Sequence, residues 1–228
     1  MTLTRRQVHA PLAVLAAAWL FGGTPVALAQ TDTPGFHATL YLQASRLGST
    51  SFGTTGVAGL GPALQAGFDV GRGFGGDIGY RYGNGWSAEV EWNYRRHGLK
   101  SLQGGLGAAG YKGDFASNIL FVNGVRRFSG LSGAWAPYAG AGLGWVQEID
   151  LDIDAGGQER SFSKSGKLAL QLIAGVAWPL GPGWSVTTDL RWLRLGGLAL
   201  TAEDGTAGRL NAPRYNPLSL QIGLRRQF

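Results

Sequence analysis

Polar and apolar residues alternate one by one along eight separate segments of this chain. The clearest is residues 86–96. There Trp86, Ala88, Val90, Trp92 and Tyr94 interleave with Ser87, Glu89, Glu91, Asn93 and Arg95. A period of two puts each set on its own face of an extended strand, whereas helical spacing would mix them. The same pattern predicts strands over residues 36–45, 65–82, 114–128, 135–153, 166–178, 184–195 and 215–228. In residues 36–45, Ala38, Leu40, Leu42 and Ala44 share one face, and His37, Thr39, Tyr41, Gln43 and Ser45 the other. In residues 65–82, Phe68, Val70, Phe74, Ile78, Tyr80 and Tyr82 oppose Asp69, Asp77 and Arg81. Residues 114–128 hold a continuous apolar run, Ile119–Val122, so both faces fit; the favoured register points Leu120, Val122 and Phe128 outward.

Residues 135–153 carry Ala139, Ala141, Leu143 and Trp145 against Tyr138 and three glycines, then Ile149, Leu151 and Ile153 against Glu148, Asp150 and Asp152. Leu168, Leu170, Leu172, Val176 and Trp178 oppose Lys167, Gln171 and Gly175. Trp184, Val186, Leu190 and Trp192 oppose Ser185, Thr187, Asp189 and Arg191. The last segment sets Leu218, Leu220, Ile222, Leu224 and Phe228 against Ser219, Gln221, Gly223, Arg225 and Gln227. A strand at the chain end would leave an unpaired edge unless its sheet closes on itself.

The connections alternate in length. Residues 46–62, 97–112, 155–165 and 196–214 read as long loops without apolar periodicity. Residues 83–85, 129–134 and 179–183 read as short turns, the first a Gly-Asn-Gly hairpin signal. The expectation is an all-β, eight-stranded antiparallel up-and-down barrel that spans a membrane, each strand supplying the roughly 9–11 residues of a tilted crossing. Short turns would face the periplasm, with longer, mobile loops outside. Aromatics gather near the short-turn side (Tyr80, Tyr82, Trp86, Phe128, Trp135, Trp178, Trp184, Phe228) and nearer the loops (Trp92, Tyr94, Trp145, Trp192), as two interfacial girdles would.

Composition sharpens this picture. Hydrophobic residues make up 44% and charged residues 15%, against roughly 25% charged in soluble domains. Glycine is abundant at 39 residues, and there is no cysteine, hence no disulfide or thiolate metal site. No segment after the first 29 residues is long and apolar enough for a membrane helix. Residues 1–29 read as a secretory signal. Arg5 and Arg6 precede a short apolar core, and Ala27-Leu28-Ala29 supplies the cleavage site before Gln30. Removing it takes two arginines from a formal net charge of +6, leaving a scattered +4 and no nucleic-acid footprint.

Three stretches, GGDIGYRYGNGWSAEVEW (75–92), APYAGAGLGWV (136–146) and GVAWPLGPGWSVTTDLRW (175–192), resemble the small eight-stranded outer-membrane β-barrel family of OmpA-like and opacity-type surface proteins. The closing strand, ending on Phe228, resembles that family's C-terminal assembly signal, with Arg226 standing where an apolar residue is usual. The resemblance implies the outer membrane of a Gram-negative-type cell, contact with outer-membrane lipid, and reading of Phe228 by barrel-assembly machinery.

Catalytic and metal-binding patterns are weak. Asp150, Asp152 and Asp154 are spaced like the start of a calcium loop, but Ala155 and Ser161 stand where its Gly and Glu belong. His97 with Ser101 is the one local pairing for a Ser-His-acid hydrolase. The glycine-rich segments open no βαβ unit. The expectation is no cofactor, no metal and no enzyme activity. Asp77, Arg81, Glu89, Glu91, Arg95, Lys167, Asp189, Arg191 and Arg225 should point into the lumen, where unpaired charges are costly. They would form a stabilising polar plug or a thin ion path. The main functional expectation is an anchor that displays surface loops for adhesion, surface recognition or envelope integrity, with an extracellular ligand or host surface as partner. The alternative is a narrow porin-like channel or small-solute carrier, and a lipid-modifying enzyme is the third class.

Overall fold

The computed structural model describes residues 33–57, 60–105, 111–128, 135–155, 158–205 and 208–228. The expected signal segment and the 129–134 turn lie outside them. Every regular element described is a strand: β1 Gly35–Arg46, β2 Thr50–Thr55, β3 Leu60–Phe68, β4 Gly71–Arg81, β5 Trp86–Gly105, β6 Tyr111–Arg127, β7 Ala136–Ala155, β8 Gln158–Lys164, β9 Lys167–Gly181, β10 Trp184–Ala202, β11 Arg209–Tyr215 and β12 Leu218–Gln227.

Eight of these pair antiparallel in the order β1, β4, β5, β6, β7, β9, β10, β12, and β12 pairs back to β1. The sheet is therefore a closed barrel, and Leu40 of β1 lies between Gly76 of β4 and Leu224 of β12. Closure satisfies the backbone of the C-terminal strand that would otherwise be a free edge. The Tyr82–Gly85 turn is tight, with the Gly85 N–H donating to the Tyr82 carbonyl at 3.3 Å. Gly85 has φ of +80°, which suits glycine there. Strand β9 runs to Gly181, so the short turn expected over 179–183 shrinks to Pro182-Gly183.

The long connections differ from expectation. Most of their described length is β-ladder. Strands β5, β6, β7 and β10 run 20, 17, 20 and 19 residues, well past a tilted crossing. Between them stand β2, β3, β8 and β11, so a second ring forms above the first in the order β2, β3, β5, β6, β7, β8, β10, β11 and back to β2. Glycine, serine and threonine can supply such backbone pairing without any apolar period.

The two rings are built inside out relative to one another. In the lower ring the outer face is apolar: Leu40 is 75% exposed, with Leu42, Ile78, Val122, Leu143, Leu168 and Ile222 also exposed. In the upper ring the apolar residues turn inward. Phe52, Leu64, Phe115, Ile149, Leu151, Phe162, Leu198, Leu200, Leu210 and Tyr215 form one buried core, which continues down to Ile119 and Phe121 of β6, opposite Asn93 and Glu91 in the ladder. On β7 the inversion occurs at a bulge where Val146 pairs with Ile119 but Glu148 pairs with Asn118, leaving Gln147 extra. The extra residue flips the faces. Below it Leu143 and Trp145 point out; above it Glu148 points out and Ile149, Leu151 and Ile153 point in. On β6 the register is settled likewise: Leu120 and Val122 are exposed, whereas Ile119 and Phe121 are buried. Phe68 departs from the expected outward row; the chain breaks at Asp69-Val70, and Phe68 packs against the upper core, 5.6 Å from the Phe115 ring.

Candidate functional site: the barrel lumen

The lower lumen is lined mainly by the polar faces of β1, β4, β5, β10 and β12, with Phe121 and Val125 of β6 and Ile173 of β9 packed among them. Glycines on facing strands make room for the larger side chains. A Cβ at Gly75 would lie 2.4 Å from the Tyr41 hydroxyl, and one at Gly175 would lie 2.6 Å from the Tyr138 ring. These inward glycines are why large tyrosines fit across so narrow a barrel.

Glu91 is the hub, with no exposed surface. Tyr41 donates to its Oε1 at 2.5 Å. Asn123 and Gln171 donate to Oε2 at 2.7 and 2.8 Å, and Arg191 pairs with the same oxygen. Arg191 also donates to Asp189 at 2.7 Å, and Tyr138 donates to the other Asp189 oxygen at 2.7 Å. A second group lies nearer the short turns. Arg225 donates to Glu89 at 3.1 Å and to Thr39 at 2.8 Å, and Thr39 donates to Asp77 at 2.9 Å. His37 Nε2 lies 3.0 Å from Glu89. Arg81 donates to Gln227.

Of the nine charges expected in the lumen, Asp77, Arg81, Glu89, Glu91, Arg95, Asp189, Arg191 and Arg225 are buried there. Lys167 is not among them; it stands partly exposed at the start of β9. Arg95 is 0% exposed and is bonded to neutral partners, Asn93 at 2.8 and 3.0 Å and Ser219 at 3.3 Å. It lies where the polar network meets the apolar core. His97 stands beside it, bonded to Ser45 at 2.8 Å, with Tyr215 and Ser117 closing the layer. Tyr41, Gln171 and Ser45 stand on the polar faces read from the alternation but were not singled out as network members, and Asn123 was not placed on either face.

Among the described residues, two acidic groupings have metal-like spacing, and each carries a cation already. His37, Asp77 and Glu89 offer atoms within 4.8 Å of one another, but the Arg225 guanidinium lies 3.1 Å from Glu89 and 3.7 Å from Asp77. Asp114, Asp150 and Asp152 meet on the outside of the upper ring, and Arg96 pairs with Asp114 at 2.6 Å. Partial burial, then Asp152 and Glu148 nearby, push the Asp150 carboxyl up to about 6. The candidate His97–Ser101 pair does not form, because His97 faces inward to Ser45 while Ser101 is exposed. Ser87, Glu89 and His37 do meet, but the carboxylate sits between serine and histidine. A relay needs the histidine in the middle.

The rim residues are placed as interfacial groups. Tyr82, Trp86, Phe128, Trp135, Trp178 and Trp184 are exposed near the short turns, and Trp92 and Trp145 near the inversion level. Arg226 lies over the Trp184 ring at 5.1 Å and donates to the Pro182 carbonyl at 2.8 Å. That explains an arginine in the otherwise apolar outward row of β12. Phe228 is 76% exposed, and its N–H bonds the Phe36 carbonyl at 2.9 Å.

No curated protein matches this chain in sequence. Its fold is shared with the outer membrane protein OprG from Pseudomonas aeruginosa, at 14% identity and a TM-score of 0.57, covering 85% of this chain and 96% of OprG. It is shared also with the outer membrane protein AlkL in lipid bilayers, at 19% identity and a TM-score of 0.52, covering 90% of this chain and 95% of AlkL. The model of the outer membrane protein beta-barrel domain matches residues 13–228. With its closed eight-stranded barrel, this chain belongs to the outer membrane protein beta-barrel family.

Proposed function

We propose that this protein is a non-enzymatic anchor of the outer membrane, presenting a β-structured extension outside the cell. The extension would serve surface recognition, adhesion or envelope integrity, with an extracellular ligand or host surface as partner. The observation that carries this reading is a lumen filled at two successive levels. Glu91, Asn93 and Arg95 have no exposed surface in the lower level, and Phe52, Phe115, Leu151 and Leu210 have none in the upper. An eight-stranded barrel is about the size that side chains alone can fill. Export through a signal cleaved before Gln30, and assembly through machinery that reads Phe228, belong to the same proposal.

One observation favours the channel or small-solute carrier as a second reading. Arg95 is a buried cation without a carboxylate among its hydrogen-bond partners, as a site for a passing anion would need. A lipid-modifying enzyme has less support, since His37 and His97 both face the lumen, away from lipid. Conductance across a planar bilayer separates the first two readings. The anchor gives no current steps at physiological salt; steady, anion-selective steps would favour the carrier.

A further inference from the structure

The inversion of faces marks where the lipid-facing surface ends. On each strand, the outward residue next beyond the apolar band can be identified. On β1 it is Arg46, following Ala44; on β4 it is Arg72, beyond Phe74. On β5 it is Arg96, beyond Trp92 and Tyr94, and on β10 it is Arg194, beyond Trp192. These four strands and β12 are contiguous around the barrel, in the order β10, β12, β1, β4, β5. On the chain leading into β12, Arg214 is also exposed. The corresponding positions on β6 and β7 are Asn118 and Gln147, with Asp114, Glu148 and Asp152 beyond them. At this level the arginines therefore stand on β10, β1, β4 and β5, and the acids on β6 and β7.

Arg72 pairs directly opposite Arg96 in the β4–β5 ladder. Like charges so placed repel unless an anion joins them. Arg96 has Asp114. Arg46, Arg72, Arg194 and Arg214 form no ion pair with a described residue. Below the arginines, an apolar groove of about 820 Å³ on the lipid side runs from Phe74 and Trp92 past Leu40 and Gly76 to Trp184 and Arg226 near the short turns. Gly76 points outward at its floor, and the missing side chain helps leave the groove open.

We propose that this face is a binding site for a phosphate-bearing lipid of the outer leaflet. One acyl chain would lie in the groove over Gly76, and its phosphates would be held by Arg46 and Arg72, with Arg194 and Arg214 extending the contact along the arc. Guanidinium groups suit phosphate because their planar fork can donate two parallel hydrogen bonds. At a membrane surface, such contacts lie in a weaker dielectric than bulk water, so they hold more strongly. The inference rests on the outer-membrane placement and does not depend on whether the lumen conducts.

The test uses the full-length barrel refolded in phosphatidylcholine vesicles and titrated with bisphosphorylated lipid A or with the same lipid after removal of its phosphates. Wild type should bind the phosphorylated form at least about tenfold more tightly. In the variant R46Q/R72Q/R194Q/R214Q this preference should vanish, and so should most of the salt dependence. Folding of the variant is checked by its heat-dependent gel shift. If it does not fold, Arg46→Gln and Arg72→Gln are made singly, and each should weaken the phosphorylated lipid about threefold or more. Equal binding of both lipids by wild type, or an undiminished preference in the folded variants, would overturn the site.

Discussion

Arg225 of the closing strand reaches Glu89 of β5 at 3.1 Å, joining strands that β1 and β4 separate in the barrel wall. The last strand to pair is thus tied across the lumen as well as along both its edges. Removing the guanidinium leaves Glu89 and Asp77 buried around the same vacated point. Breaking such a pair from one side typically costs about 3–5 kcal/mol. Arg225→Ala should lower stability by that amount in urea titrations of the barrel in lipid vesicles. Arg225→Met combined with Glu89→Gln should recover most of it, since far less uncompensated charge remains. An equal loss in both would mean the pair acts only through packing.

The outward face carries its own prediction. Val90 is 52% exposed in the middle of the apolar band. Val90→Arg should destabilise the barrel by about 2–4 kcal/mol if it sits at the bilayer midplane. Gln103 is exposed on the same strand above the inversion level, and Gln103→Arg should change stability by less than about 0.5 kcal/mol. The same vesicle titration measures both, and similar costs would misplace the band.

The acidic face of the upper ring should respond to pH. The Asp150 carboxyl is raised to about 6 by burial and by Asp152, Glu148, Asp114 and Glu203. The unfolded chain holds this proton less tightly, at about 4. Its contribution is therefore fully favourable below about pH 4 and is lost as pH rises through 6. Solvent screening at a partly exposed site limits the effect to about 1 kcal/mol. Asp150→Asn should stabilise the protein by that amount at pH 7.5 and leave it unchanged at pH 4, read from urea midpoints at the two values. A variant less stable at pH 7.5 would contradict the electrostatic account.

The barrel was legible in the sequence because lipid outside and a polar lumen inside enforce a strict period of two. The faces of β1, β5 and β12 follow directly from that alternation. The extension was not legible. Strands β2 and β11 present few large apolar residues, Phe52 and Leu210 among them, and their backbone ladders leave no trace in a hydropathy pattern. Nor does a period of two say which face is inside. In β7 the row Ile149, Leu151, Ile153 looks like the row Ala141, Leu143, Trp145, yet one is core and the other faces lipid. The acids between the isoleucines were the available signal, since they alternate with those residues where glycines had stood before. In the lumen, the polar positions were readable, but which of them bond was not, because partners such as Tyr41 and Glu91 are 50 residues apart.

Phe228 separates an assembly role from a structural one. Its side chain is outward and exposed, and its backbone contributes a hydrogen bond to Phe36. Losing the side chain from an apolar surface accounts for only about 1.5–3 kcal/mol. If assembly machinery reads the aromatic, deleting Phe228 should sharply reduce folded protein in the outer membrane. The same truncated chain should still fold from denaturant into detergent micelles. Normal outer-membrane levels would remove the signal role, and failure in both settings would make the residue structural.

The central claim is that side chains fill the lumen from one level to the next. The chain has no cysteine, so a single introduced thiol reports its own surroundings. Ser117 is 1% exposed, at the junction of the polar network and the apolar core, and bonded to Tyr215 at 3.1 Å. Ser51 is exposed on the outside of β2. The measurement is the rate at which a small, charged methanethiosulfonate modifies Ser117→Cys and Ser51→Cys in the folded barrel in lipid. A filled lumen predicts rapid modification at position 51 and essentially none at 117 until the barrel is unfolded. Comparable rates at the two positions would mean that water and small solutes pass where Ser117 lies, and the account of a sealed anchor would fail.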